Sequence, residues 1–287
     1  MIIATVMLYG CSTVDRMTID TGDGGYVYCE QRGKGQPVVL LHGHSLDRRM
    51  WNSQWKALAE HGYRAIRLDF RGYGRSSEQR EDLPMTHAGD VITLLDSLHV
   101  DRVHVVGLSM GAFVAGDLLA MHPERLLSCT MVSGGIRNTP GPSTPMDSAE
   151  SRRRDSEISA LREQGIDQMK RRWTEQLISS GGSRRETMRR DLERMTGDWS
   201  AWQPLHKEVR LFYGREAWDS LRSRAPLHVP TLLVRGENDV KDKKSRPREM
   251  QYLDSARYVV LPDCGHMLNM EQPETFNRLL IDFLDGR

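Results

Sequence analysis

The pentapeptide Gly107-Leu108-Ser109-Met110-Gly111 stands directly between a strand-like segment, residues 103–107, and a segment of helical period, residues 112–121. A chain that turns from strand to helix within so few residues leaves no room for a Cβ where it folds back on itself, which requires the two glycines. The Val-rich segment reads as a buried strand. A strand of that kind feeding a helix belongs to a βαβ crossover, and so to a parallel sheet.

The remaining sequence follows the same rhythm. Residues 17–21 and 26–31 are β-rich and separated by Gly22-Asp23-Gly24-Gly25, which predicts an antiparallel hairpin. Residues 37–41 form a continuous apolar run, predicting a buried strand. Residues 51–61 carry Trp51, Trp55, Leu58 and Ala59 at helical spacing and stop at Gly62. A strand over 63–70 ends in the turn-rich Arg71-Gly72-Tyr73-Gly74-Arg75-Ser76. A helix over 86–98 aligns Val91, Leu94, Leu95 and Leu98. His122-Pro123 ends the helix of 112–121, and 126–132 is a further strand.

The rhythm breaks at residues 138–145, a Pro/Gly/Ser/Thr stretch. Residues 146–224 are rich in Arg, Glu, Trp and Met and patterned as helices. Strand patterns return at 231–234 and 258–261, and an amphipathic helix closes the chain at 273–284. The expectation is an α/β fold: a mostly parallel central sheet flanked by helices, with an inserted helical cap. The core is placed at 17–137 and 225–287, the cap at 138–224, and residues 1–16 are an N-terminal extension.

A net charge of +1 over 287 residues provides no global field for nucleic acid or anionic membranes. No apolar run reaches the roughly 18–20 residues of a membrane span. Four cysteines, Cys11, Cys29, Cys129 and Cys264, are scattered without a C-x-x-C pair, as expected of reduced thiols in a cytoplasmic protein. Leu8-Tyr9-Gly10-Cys11 loosely resembles a lipoprotein cleavage box, so anchoring through Cys11 is the alternative. The absence of Lys or Arg before the short apolar stretch speaks against it.

The strand–turn–helix setting of Ser109 is that of a nucleophile elbow, which holds the hydroxyl out at the carboxyl end of the sheet. A serine needs a base to act as a nucleophile. Of ten histidines, His266 follows the last strand in Pro262-Asp263-Cys264-Gly265-His266, again at the carboxyl edge. Asp239 follows the strand of 231–234 and is predicted to orient His266; Glu237, Asp242 and Asp263 are the competing carboxylates. The backbone N–H of Met110 and that of His44, in His42-Gly43-His44-Ser45 after the strand of 37–41, are the predicted oxyanion donors. In the cap, Trp199, Trp202, Trp218 and Met195 are candidate substrate contacts, with packing of the cap helices as the alternative role. The cap's Arg clusters, Arg189-Arg190 among them, are interspersed with acids, as on a solvated helix face, with a basic lip attracting an anionic ester as the alternative.

With these residues in place, the chain resembles the α/β-hydrolase fold family from about residue 17 to 285. The matching stretches are Leu40-Leu41-His42-Gly43, Asp69-Phe70-Arg71-Gly72-Tyr73-Gly74-Arg75-Ser76, Gly107 to Gly111, Gly236 to Asp239, and Gly265-His266. It is most similar to the serine esterase, enol-lactonase and cofactor-free perhydrolase branch, in which the Asp69–Ser76 turn is mainly structural. Ser109 differs from the Asp nucleophile of dehalogenases and epoxide hydrolases. The resemblance implies hydrolysis of a small-molecule ester or lactone through a Ser109–His266–Asp239 triad, without metal or organic cofactor. C–C bond hydrolysis or perhydrolysis at the same triad is the alternative, and a slow-turnover ligand-binding receptor a further one. Oligomeric state is not legible.

Overall fold

Short apolar runs that alternate side chains to opposite faces, placed between helices with one apolar stripe each, can satisfy both only as a covered sheet. The computed structural model describes residues 14–80, 85–140, 147–206, 211–240 and 246–287; Cys11 and Asp242 lie outside them. Eight strands form one sheet: β1 (Asp15–Asp20), β2 (Tyr26–Arg32), β3 (Pro37–Leu41), β4 (Arg64–Asp69), β5 (Val103–Leu108), β6 (Leu126–Val132), β7 (Thr231–Gly236) and β8 (Ala256–Leu261). Their spatial order is β1-β2-β4-β3-β5-β6-β7-β8. β2 is antiparallel to both neighbours, and β4 through β8 are parallel. The predicted hairpin is β1–β2.

The helices are α1 (Asn52–Glu60), α2 (His87–Ser97), α3 (Met110–Met121), α4 (Ser148–Gln164), α5 (Ile166–Ser179), α6 (Arg189–Asp198), α7 (Trp202–Leu205), α8 (Arg215–Arg224), α9 (Leu268–Glu271) and α10 (Pro273–Leu284). Along β3, Val39 and Leu41 join one core with Val91, Leu94 and Leu95 of α2 and Leu118 of α3. Val38 and Leu40 join the other, with Trp55 and Leu58 of α1 and Phe276 and Leu280 of α10. Two-sided burial explains the continuous apolar run of β3, and β5 is buried along its whole length.

Local signals set the helix ends. Thr86 Oγ1 accepts the Gly89 N–H at 3.0 Å to start α2, and Asp147 Oδ1 accepts from Ala149 and Glu150 at 2.8 Å to start α4. Pro123 prevents α3 from continuing, and Pro273 occupies the first turn of α10.

The helices between β6 and β7 divide by what they touch. Ser220 Oγ of α8 donates to Ala120 O of α3 at 2.7 Å, and Ala217 and Leu221 enter the core beside the sheet. α4–α7 lie instead over loops at the carboxyl ends of the strands. Trp173 Nε1 donates to Ser45 Oγ at 2.7 Å, and Gln203 Nε2 to Gly72 O at 3.1 Å. Among the described residues, no helix is long and apolar enough to cross a membrane.

Candidate active site

Ser109 is the single residue between β5 and α3, at φ 55° and ψ −110°. A side chain held there costs about 1–3 kcal/mol, which the surrounding contacts must offset. Those contacts are specific. The Ser109 N–H donates to Val132 O at 2.8 Å, tying the turn to β6. A Cβ on Gly107 would lie 2.0 Å from Gly111 O, and one on Gly111 would lie 2.0 Å from Leu41 O. The tight turn demanded by the sequence is therefore present, and it sets the serine beside the positive N-terminus of α3.

The loop after β3 abuts this turn: a Cβ on Gly43 would sit 3.7 Å from the Ser109 Cβ. His42 holds the loop down. Its Nε2 accepts the Phe70 N–H at 2.9 Å, which assigns the proton to Nδ1, donating to Gly43 O at 2.8 Å. Burial lowers the His42 pKa, in keeping with that neutral tautomer. His44 Nδ1 is hydrogen-bonded to Tyr73 Oη at 2.7 Å, and its ring lies edge-on to Trp199 with centroids 4.9 Å apart. Burial, with the neighbouring His42 second, brings His44 down to about 4. It is a neutral wall residue, and Tyr73 Oη also contacts Met110 Sδ at 3.4 Å. The structure thus brings the predicted donor residues Met110 and His44 to the same cavity as Ser109.

Asp239 and His266 meet from the loops after β7 and β8. His266 Nδ1 and Asp239 Oδ1 are 3.1 Å apart, and both side chains are about three-quarters buried, with 25% and 21% exposure. Gly236 permits the approach, since a Cβ there would lie 2.2 Å from Gly265 O. Asp239 Oδ2 is buried without a hydrogen-bond partner. Among the described residues, no hydrogen bond joins the Ser109 side chain to His266, whose Nδ1 is taken by Asp239. The competing carboxylate Asp263 is engaged elsewhere, accepting the Ser183 N–H at 2.9 Å.

The Ser109 cavity has a volume of ≈ 340 Å³. Of the four side chains predicted to contact substrate, only Trp202 lines it. Trp199 stands behind the wall against His44 and Tyr73. Met195 is packed in the opposite core, and Trp218 packs on Tyr252 at 6.0 Å between centroids. The structure does not bring Met195 or Trp218 to this cavity: their apolar faces serve helix packing. The lining that the sequence did not single out includes Tyr73, Phe113 and Arg137. Arg189 is bound to Glu175, Glu186 and Glu193 on a solvated face. Among the described residues, no three His, Cys, Asp or Glu side chains gather as metal ligands.

Comparison with known proteins agrees with this architecture. A 2-hydroxy-6-oxononadienedioate/2-hydroxy-6-oxononatrienedioate hydrolase of Paraburkholderia xenovorans is 28% identical over 288 residues, 95% of this chain and 96% of its own. The structure of a thermophilic esterase from Thermogutta terrifontis, with malate bound, superposes with a TM-score of 0.68 at 28% identity, covering 95% of this chain and 98% of that one. An esterase from Exiguobacterium antarcticum gives a TM-score of 0.74 at 23% identity, over 94% and 99% of the two chains, a likeness of fold. The family model for the alpha/beta hydrolase family matches residues 38–279. With β5, the Ser109 turn and the loops after β7 and β8 all inside that match, the chain belongs to the alpha/beta hydrolase family.

Proposed function

We propose that the protein hydrolyses a carboxylic ester or lactone through Ser109, with His266 as base and Asp239 as its orienting partner. The observation that carries this reading is the left-handed backbone of Ser109, at φ 55°, at a turn that opens into a cavity. His266 takes the Ser109 proton as Oγ adds to the carbonyl, and the N–H groups of Met110 and His44 receive the oxyanion. The alkoxide leaves with the proton from His266. Water, deprotonated by His266, then releases the acid and restores Ser109. Catalytic hydrogen bonds are often long before substrate binds and tighten in the complex, as the Ser109–His266 contact must.

In this reading α4–α7 act as the cap, and the buried free thiols of Cys29, Cys129 and Cys264 suit a reducing compartment such as the cytoplasm. A second reading, C–C bond hydrolysis by the same residues, is favoured by the Paraburkholderia xenovorans relative. Labelling with a fluorophosphonate followed by mass spectrometry tests the shared core: Ser109 alone should be modified. Turnover of p-nitrophenyl esters beside a ring-cleavage dienoate separates the two reactions. A protein left unlabelled at Ser109 and inert toward both would sink the proposal.

A further inference from the structure

The cavity wall beside Ser109 carries a cation, Arg137, that has no ion-pair partner among the described residues. Arg137 follows β6 and lines the cavity with Phe113, from the first turn of α3, and Phe212. Its guanidinium carbon lies 5.1 Å from the centroid of Phe113 and 5.2 Å from that of Phe212. The two rings stand edge to face, 5.9 Å apart. Among the described residues, Arg137 makes no hydrogen bond and no ion pair.

The other arginine of the wall is different. Arg154 donates through Nη2 and Nε to His206 O at 2.9 and 3.2 Å, and reaches Glu157 at 3.3 Å. Its donors hold α4 to the segment after α7. Asp117, buried on α3, feels the Arg137 charge but does not pair with it. Its Oδ2 accepts the Tyr213 N–H at 2.8 Å, and burial raises its pKa to about 7, which weakens its hold on the cation.

A guanidinium resting on aromatic faces keeps its in-plane N–H fork free, and that fork matches a carboxylate. The guanidinium nitrogens of Arg137 are not among the buried polar atoms, so they remain accessible to whatever enters the cavity. We infer that Arg137 is an anion-recognition residue, and that the substrate is an ester or lactone bearing a second, free carboxylate. The inference rests on the proposed hydrolysis at Ser109 and names its substrate class. A volume of ≈ 340 Å³ suits a small acid rather than a long acyl chain.

Two matched pairs test it: mono-p-nitrophenyl glutarate against p-nitrophenyl pentanoate, and 4-carboxyphenyl butyrate against phenyl butyrate. In at least one pair the anionic member should have the higher kcat/KM by about 10- to 100-fold. Arg137→Gln should cut that ratio by about tenfold or more, mainly through KM. Arg137→Lys, a charge without the fork, should fall between them. Since a variant can misfold, the wild-type protein supplies a second measurement. Glutarate should slow fluorophosphonate labelling of Ser109, and neutral glutaramide should not. Ratios near one in both pairs, a preference that survives Arg137→Gln, or equal protection by the two additives would each overturn the inference. Failure of labelling itself would instead bring down the serine-hydrolase reading beneath it.

Discussion

Asp239 Oδ1 meets His266 Nδ1 at 3.1 Å across two loops that leave the neighbouring parallel strands β7 and β8. A carboxylate in that position fixes the imidazole with its proton on Nδ1 and leaves Nε2 as the basic nitrogen. Asp239→Asn keeps the shape but removes the charge that favours this tautomer. The expected loss in kcat is about 10³–10⁴-fold with little change in Tm. Steady-state kinetics beside a thermal melt check it. A loss below tenfold would remove Asp239 from the proposed chemistry.

Much of the sheet was readable because its strands obey local rules. The apolar run of 37–41, the strand of 126–132 and the final helix of 273–284 coincide with β3, β6 and α10. Helix α3 begins at Met110, two residues before the predicted start, because the Ser109 turn is tighter than a helix-period pattern can show. Long-range geometry was the part that stayed hidden. Apolar periodicity says that Trp218 and Met195 are buried but not against what, so it could not separate cavity wall from packing. Arg137 belongs to no motif. Its significance appears only when folding brings Phe113 and Phe212 to its guanidinium. His42 has no role of its own in the sequence pattern, and its use as a rivet between the loop after β3 and Phe70 needs the three-dimensional contact.

Ser109 carries a strained backbone as well as the proposed nucleophile. Ser109→Ala removes the oxygen but keeps a Cβ at φ 55°, so activity should fall by at least about 10⁴-fold while Tm stays close to wild type. Ser109→Gly relieves about 1–3 kcal/mol of strain against about 0.4–1 kcal/mol of added unfolded-state entropy. The glycine variant should therefore be inactive and at least as stable as the alanine variant in urea unfolding. A markedly less stable glycine variant would contradict the strain.

Gly111 makes a separate, purely steric prediction. A methyl group there would lie 2.0 Å from Leu41 O and 2.5 Å from the Leu41 carbonyl carbon, both backbone atoms of a central strand. Neither α3 nor β3 can give way without losing sheet contacts. Gly111→Ala should lower stability by about 3 kcal/mol or more, or prevent soluble folding. Gly197 is the control: it lies in α6 with nothing within 4 Å of its added Cβ. Gly197→Ala should be neutral or raise stability by about 0.5–1 kcal/mol. Equal effects at the two positions, read from denaturant midpoints, would defeat the steric account.

Acid stability should report the buried histidines, and His104 is the cleanest to isolate. It sits inside β5, with Nδ1 hydrogen-bonded to Ser128 Oγ at 2.8 Å and Nε2 to Gln36 Oε1 at 3.1 Å. Burial first, and the charge of Arg102 second, hold its pKa down to about 4 from an ordinary 6.5. Between those limits the unfolded chain binds more protons than the folded one, so its contribution is fully present above 6.5 and is lost as pH falls toward 4. At pH 5 the loss is about 2 kcal/mol relative to pH 7. Asp117, raised to about 7, acts with the opposite sign, and the pH dependence of the wild type alone is therefore a mixture. The difference between wild type and His104→Gln removes it, because both proteins retain Asp117. Urea unfolding at pH 7 and pH 5 should show the wild type losing about 2 kcal/mol more than the variant over that interval. Equal losses would mean that His104 titrates alike in the folded and unfolded chains, which its place inside β5 does not allow.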